Sequence, residues 1–345
     1  MKKVTLQEIA NSLDISRTTV WKVFSGHDGV SDALRTKIIT KAQELGYTFP
    51  ENFQFPAGQT EELPINIAVT VCRPETSLFW MNIIHEIAKE FSHHNVNLVY
   101  TYLPTSADET YTLPPTLTSG TIQGMIVMNV YNVHTLRLLS KVPIPKVFLD
   151  TATVIPPSEL NGDLILMENR TSVYTITRHL IEQGRKVLGF IGDINYAKSN
   201  YERYQGFLRA MEEAHIQPDP SMMLTDPIGI DTYREDIDNF LSSLPQMPKA
   251  FVCANDHVGC ILMQLLLERG IQVPQDIAIS GFDNNIENPL SSRLTTVQVF
   301  NRELGLRLAT QILFRINHPD MPYEVIYQTT KVLFRSSTGD PESEN

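Results

Sequence analysis

The sequence predicts an α/β protein in two parts: a small head of three helices, and a body of doubly wound parallel sheets divided into two lobes. Three observations carry this. The first 50 residues show capped, amphipathic helical periodicity. From Ile65 onward, short apolar runs alternate with helical stretches, as in strand, helix, strand units. The charge divides at the same place. Residues 1 to 50 hold seven basic and five acidic side chains, a net of +2, so the total of −11 leaves −13 for the body. The total alone argues against a nucleic-acid partner, and the division removes that objection. With 345 residues the chain has room for two or three units of about 100 to 200 residues each. Hydrophobic residues at 42% and charged residues at 19% exclude disorder and collagen-like or low-complexity architectures.

In the head, Thr5 stands three residues before Glu8 and can cap a first helix reciprocally with it, while Leu6, Ile9, Ala10 and Leu13 fall at helical spacing. A tight turn at Asp14 and Ile15 leads to Ser16, an N-cap for the second helix, RTTVWKVFS. The third helix starts after Ser31, buries Leu34, Ile38, Ala42 and Leu45, and ends at Gly46. If Val20, Val23 and Phe24 face the core, Arg17, Thr18, Trp21 and Lys22 project from the other side. A helix presenting such residues near its N-terminus suits major-groove reading in the helix-turn-helix mode. Arg17 would take guanine O6 and N7, Thr18 and Trp21 thymine methyls or sugars, and Lys22 guanine or a phosphate. A helical protein-interaction module is the alternative.

The body's expected strands are 65–71, 97–102, 124–130, 146–150, 186–192, 250–254 and 276–282. Helices such as WMNIIHEIAKEFSHH, TSVYTITRHLIEQG and NYERYQGFLRAMEEA separate them. The break between lobes is expected after Asp150, where TATVIPPSELNGD interrupts the alternation, with a return crossing at 293–300. Ligands of open parallel sheets sit beyond the carboxyl ends of the strands. Asp150, Asp193, Asn255, Asp256 and Asp283 stand at such ends, and carboxylates and amides suit the hydroxyls of a sugar or nucleoside. Two readings are open for each. Asp193, Asn255 and Asp256 can instead cap the following helices, Asp283 can hold a turn, and Arg203 can pair with Glu202 or Glu212 on a helix surface. Phe79 and Trp80 either offer a stacking face or belong to the buried stripe of Ile83, Ile84 and Ile87.

The run VTLQEIANSLDISRTTVWKVFSGHDGVSDALRTKIITKAQELGY resembles the headpiece of the lactose/galactose-repressor family of transcriptional regulators. It matches V-T-x-x-x-[IV]-A, [VI]-S-x-x-T-V and V-S-x-x-[TL]-R in order and spacing. The phrases ENRTSVYTITRHLIEQGRKVLGFIGD, YERYQGFLRAM, AFVCANDHVGCILMQLLLERGIQVPQDIAISGFDN and RLTTVQV extend the likeness to that family's effector core, which is similar to periplasmic sugar-binding proteins. The resemblance implies a headpiece at 1–50, a linker at 51–63, a two-lobed periplasmic-binding-protein-like core at 64–338 that binds effector and dimerises, and an acidic tail at 339–345. It implies that Arg17, Thr18 and Lys22 read bases while Thr5, Ser16 and Thr19 fix the DNA backbone. It also implies that Asp150, Asn255 and Asp283 contact an effector, that Arg203 clamps it, and that Phe79 and Trp80 line the cleft.

Three places depart from the family pattern. Trp21 stands where serine is common, and either alters half-site preference or packs on the third helix. The linker lacks the family's hinge pattern: no arginine follows Tyr47, Glu51 is acidic, and Pro56 and Gly58 break a helix. Either Phe53 or Phe55 wedges into the minor groove or the linker is extended. Pro114 and Pro115 confine the helix of TSADETYTLPPTLTSG to a short piece.

The expected function is therefore an effector-responsive DNA-binding regulator, a repressor acting as a homodimer on double-stranded operator DNA. Its effector would be a sugar, sugar phosphate or nucleoside. The rival is a sugar-processing enzyme using Asp150, Asp193 or Asp283. No G-x-x-x-x-G-K loop, G-x-S-x-G elbow or metal-binding histidine motif supports it. No cofactor or metal is expected, and His93 and His94 read as solvent-facing residues at a helix end. A solute-binding protein is disfavoured by the polar N-terminus, and a cytoplasmic location without membrane association is expected. Cys72, Cys253 and Cys260 read as buried reduced thiols, and the tail contains no heptads for tetramerisation.

Overall fold

The computed structural model describes residues 4–45, 47, 49, 53, 64–72, 78–229, 231–285 and 288–341. Gly46 as a helix terminator, the linker's Glu51, Phe55, Pro56 and Gly58, and the last four tail residues lie outside the described residues. The chain forms two compact units, Met1–Pro64 and Ile65–Asn345.

The first unit holds α1 (Leu6–Ser12), α2 (Arg17–Phe24) and α3 (Asp32–Glu44). Thr5 and Glu8 form the expected capping box, with Glu8 N donating to Thr5 Oγ1 and Thr5 N donating to Glu8 Oε2. Ser16 Oγ accepts from Thr19 N at 3.0 Å, and Asp14 takes a left-handed φ of 53° in the turn between α1 and α2. Ile9, Ala10, Val20, Val23, Phe24, Ile38, Ile39 and Ala42 make the core. Three residues differ from expectation. Ile39 is buried, whereas Leu45 is 38% exposed because it follows the last helical residue as C-cap and falls off the packed stripe. Leu34 is only half-buried.

In the second unit a six-stranded parallel sheet has the order β11-β5-β4-β3-β1-β2. Its strands are β1 (Ile65–Val71), β2 (Val96–Tyr102), β3 (Gly124–Met128), β4 (Lys146–Leu149), β5 (Asp163–Met167) and β11 (Val325–Gln328). The helices α4 (Leu78–Phe91), α5 (Pro115–Thr118), α6 (Val133–Lys141) and α11 (Asn301–Asn317) belong to this lobe. The second lobe has a parallel sheet in the order β7-β6-β8-β9, comprising β6 (Leu188–Ile191), β7 (Met223–Leu224), β8 (Ala250–Cys253) and β9 (Ala278–Ser280). Around it lie α7 (Arg170–Glu182), α8 (Lys198–Glu213), α9 (Tyr233–Ser243) and α10 (Asp256–Glu268). Gly206 lets α8 close on α7: a Cβ there would lie 2.2 Å from the Arg170 carbonyl oxygen.

The expected break after Asp150 is corrected by β5. Leu164 pairs with Phe148, so the chain adds one more strand to the first sheet before leaving at 168–169. It returns before α11, which packs on α4, and crosses again from β11 to β12 (Lys331–Leu333). There β12 pairs antiparallel with β10 (Thr296–Gln298). The two lobes are therefore joined by three adjacent crossings. A buried ion pair ties the first lobe's late strand to its late helix: Arg315, 1% exposed, gives Asp163 two hydrogen bonds of 3.0 and 2.7 Å. All three cysteines are buried free thiols, and no helix among the described residues is long and apolar enough to cross a membrane.

Candidate nucleic-acid interface and ligand cleft

On α2, Val20, Val23 and Phe24 are buried, which leaves Arg17, Thr18 and Trp21 exposed and Lys22 half-buried on the opposite face. Thr5, Ser16 and Thr19 sit at the starts of α1 and α2, where the helix dipoles favour anions. Trp21 is 47% exposed and lies against His27, ring centroids 4.9 Å apart. His27 was not legible as its support, because it falls in the turn beyond the helix and no periodicity links the two.

A cleft lies between the lobes of the second unit, a cavity of about 370 Å³ beyond the carboxyl ends of the strands, where ligands of such sheets bind. Phe79, Trp80, Asp150, Arg203, Asn255 and Asp283 all line it, whereas Asp193 and Asp256 do not. Phe79 and Trp80 meet edge to face at 5.0 Å, and Phe79, 7% exposed, is also part of the core with Ile83, Ile84 and Ile87. Phe79 belongs to the buried stripe and Trp80 packs against it, while both border the cavity.

Asp150 and Asp283 hold positive φ angles of 64° and 107° at the ends of their strands, conformations that are strained outside glycine. The Asp150 carboxylate accepts from Thr151 N at 2.8 Å, Tyr131 Oη at 3.2 Å and Ser199 Oγ at 2.6 Å. Ser199 N adds a fourth contact at 3.3 Å. Ala197, the N-cap of α8, has no side chain to cap with, so a carboxylate of the first lobe caps a helix of the second. Burial pushes the Asp150 carboxyl up, and these hydrogen bonds oppose it. Above this contact Tyr131 and Tyr196 face each other across the lobes at 4.4 Å.

Arg203 is not on a helix surface, and it pairs with neither Glu202 nor Glu212. It is 3% exposed; its Nε donates to Asn169 Oδ1 at 2.9 Å, its Nη1 to the Ala254 carbonyl at 2.7 Å, and its plane lies 3.6 Å over the Phe282 ring. The remaining nitrogen, Nη2, stands 3.6 Å from Asp283 Oδ1. Glu202 is spoken for by Lys198, Asn169 and Tyr327. Burial pushes the Asp283 carboxyl up to about 6 against the pull of Arg203.

Asn255 caps α10 by accepting from Val258 N at 2.9 Å and also faces the cleft. Asp256 is no cap. It is 2% exposed and accepts from Thr296 Oγ1 at 2.6 Å and Asn285 N at 2.8 Å. Burial, and then the charge of Asp283, push it up to about 8. Asp193 holds the turn at Asn195 and Tyr196 instead of reaching the cleft. Sequence reasoning missed Tyr131, Tyr196, Ser199, Tyr233 and His257, which also line the cavity. Arg203 is the sole lysine or arginine among the described residues lining it.

Residues 177–338 match the model of the periplasmic binding protein-like domain. The HTH-type transcriptional repressor PurR of Haemophilus influenzae (strain PittEE) is 27% identical over 344 residues, covering 96% of this chain and 98% of that protein. The NTD biosynthesis operon regulator NtdR of Bacillus subtilis (strain 168) is 25% identical and covers 97% of this chain and 99% of its own. Among solved structures, a complex of the transcriptional regulator CelR with cellobiose superposes with a TM-score of 0.70 at 21% identity, covering 97% of this chain and all of that one. The lac repressor dimer bound to operator and the anti-inducer ONPF gives 0.67 at 19%, covering 98% and 99%. Fold and site define the class, a two-lobed periplasmic-binding-protein-like core following a helix-turn-helix headpiece. The chain is a transcriptional regulator of the repressor kind, similar over nearly its whole length to regulators of the lactose/galactose-repressor type, and the enzyme reading is set aside because its relatives are regulators.

Proposed function

We propose that this repressor acts in the cytoplasm as a homodimer on a near-palindromic operator, and that a small molecule in the inter-lobe cleft sets its affinity for DNA. The observation that carries this reading is the Asp150 to Ser199 contact inside the cleft. A ligand that competes for or bridges these groups biases the lobes only to the extent that it binds one arrangement better. Arg17, Thr18, Trp21 and Lys22 are the proposed base readers, with Thr5, Ser16 and Thr19 on the backbone. Operator binding by the lac repressor dimer and cellobiose binding by CelR support the pairing of DNA with a sugar-like ligand.

Phe79, Trp80, Asp150, Arg203, Asn255 and Asp283 are the proposed effector contacts. The cleft's guanidinium is committed to Asn169, Ala254, Phe282 and Asp283, so a phosphate ester would bring charge toward two carboxylates with little to offset it. An uncharged ring bearing hydroxyls, or a nucleoside, fits better than a sugar phosphate, its flat face against the aromatic rings and its donors toward Asp283. A thermal-shift screen of sugars, sugar phosphates and nucleosides tests this, because a cleft ligand stabilises the fold by mass action. A hit lost in Asp283→Ala fixes the site, and a sugar phosphate as the strongest hit overturns the effector reading. Failure to retard any promoter fragment at low salt, including the one upstream of its own gene, overturns the regulator reading.

A further inference from the structure

The first unit has a core of eight small and medium side chains on three short helices, near the lower limit of what folds without help. One of its largest members, Phe24, sits at the end of α2 and is only 7% exposed. What covers it comes from beyond the third helix. Tyr47 stacks on Phe24 with ring centroids 5.1 Å apart and is tied back by its backbone N–H to the Ala42 carbonyl at 2.9 Å. Phe49 meets Phe24 edge-on at 5.1 Å, and Phe53 meets it edge-on at 5.4 Å. The covering rings also touch one another: Tyr47 and Phe49 at 5.5 Å, Phe49 and Phe53 at 5.1 Å in a stack. Each pair adopts an edge-to-face or stacked geometry that aromatic quadrupoles favour.

We propose that Tyr47, Phe49 and Phe53 are integral parts of the headpiece, an aromatic clasp on Phe24 that is already closed in the absence of DNA. Two consequences follow. The reader reaches DNA with Tyr47, Phe49 and Phe53 already placed, so binding pays no ordering entropy for these three side chains. Phe53 is also committed to Phe24, so it does not enter the minor groove as a wedge, and the duplex is not kinked through this side chain. The clasp itself is independent of the assignment to DNA, whereas the second consequence rests on that assignment.

Amide exchange on the full-length protein, free and bound to a duplex selected from a random pool, separates these points. The clasp requires the Phe49 and Phe53 amides of the free protein to exchange at least about tenfold slower than an unstructured chain. It also requires DNA to change those rates by less than about threefold. Phe53→Ala should speed exchange at Phe49 and in the last turn of α2, while leaving the end-to-end distance of a dye-labelled duplex in the complex unchanged. Unprotected Phe49 and Phe53 amides that become protected only on DNA overturn the proposal, as does a duplex that straightens in Phe53→Ala. If no duplex is selected, the regulator reading fails, and slow exchange at Phe49 and Phe53 in the free protein still establishes the clasp.

Discussion

Ser199 Oγ donates a 2.6 Å hydrogen bond to Asp150 Oδ2, and this pair joins the end of a strand in one lobe to the first turn of a helix in the other. Since α8 has no side-chain cap of its own, Asp150 both caps it, by accepting from Ser199 N at 3.3 Å, and bonds lobe to lobe through the Ser199 hydroxyl. Ser199→Ala keeps the capping N–H and removes only the hydroxyl's hydrogen bond, a loss of about 1 kcal/mol. Ser199→Ala should therefore lower the thermal midpoint by about 2 to 4 °C in a core of this size. Asp150→Ala should cost more, leaving Tyr131, Thr151 and Ser199 without their acceptor. Calorimetry of both variants without ligand checks this, and equal midpoints in all three proteins would contradict it.

The two carboxylates of the second lobe make stability depend on pH with a definite sign. Asp256 and Asp283 are pushed up from 3.8, to about 8 and about 6. The folded state therefore holds their protons more tightly than the unfolded chain does. Their contribution is most favourable in acid, falls as pH rises through 6 and then 8, and is level above that. Asp256→Asn keeps an acceptor and removes the titration. The stability loss between pH 6 and 8 should flatten in this variant, as measured by urea unfolding at several pH values.

Arg203 is buried with a partial counter-ion, and breaking such a pair from one side costs about 3 to 5 kcal/mol. Arg203→Ala should be strongly destabilised and lose stabilisation by any cleft ligand. Arg203→Lys should restore neither fully, because an ammonium cannot reach Asn169 and the Ala254 carbonyl together while stacking on Phe282. Thermal shift with and without the screened ligand reads both effects.

On the headpiece, a guanine contact by Arg17 is worth about 1 to 3 kcal/mol, so Arg17→Ala should weaken binding to the selected duplex by roughly 5- to 150-fold and relax preference at one base pair. If Lys22 instead holds a phosphate, Lys22→Ala should weaken all duplexes alike and reduce the salt slope by about one. Competition binding at several salt concentrations distinguishes the two roles.

The parts legible in the sequence were those fixed by local patterns. Thr5, Ser16 and Asn255 announce themselves as caps by spacing, and Asp150, Asn255 and Asp283 follow apolar runs whose ends must face the cleft. β5 was missed although DLILM is an apolar run of strand length, because the proline pair before it reads as a domain break. Ser199 and Tyr131 were hidden for a different reason. Their roles depend on which lobe faces which, and nothing near either residue encodes that. The commitment of Arg203 to the Ala254 carbonyl likewise joins positions 51 apart.

The three crossings between lobes also bear on how such a protein can be rebuilt. Neither lobe is a continuous stretch of chain, since β10 and β12 of the second lobe bracket α11 and β11 of the first. A single cut and splice therefore cannot exchange one ligand-binding half for that of a relative. A graft must carry two separate segments, and a single exchange that leaves both lobes whole is confined to the join ahead of Ile65, where it transfers the whole cleft to a new reader.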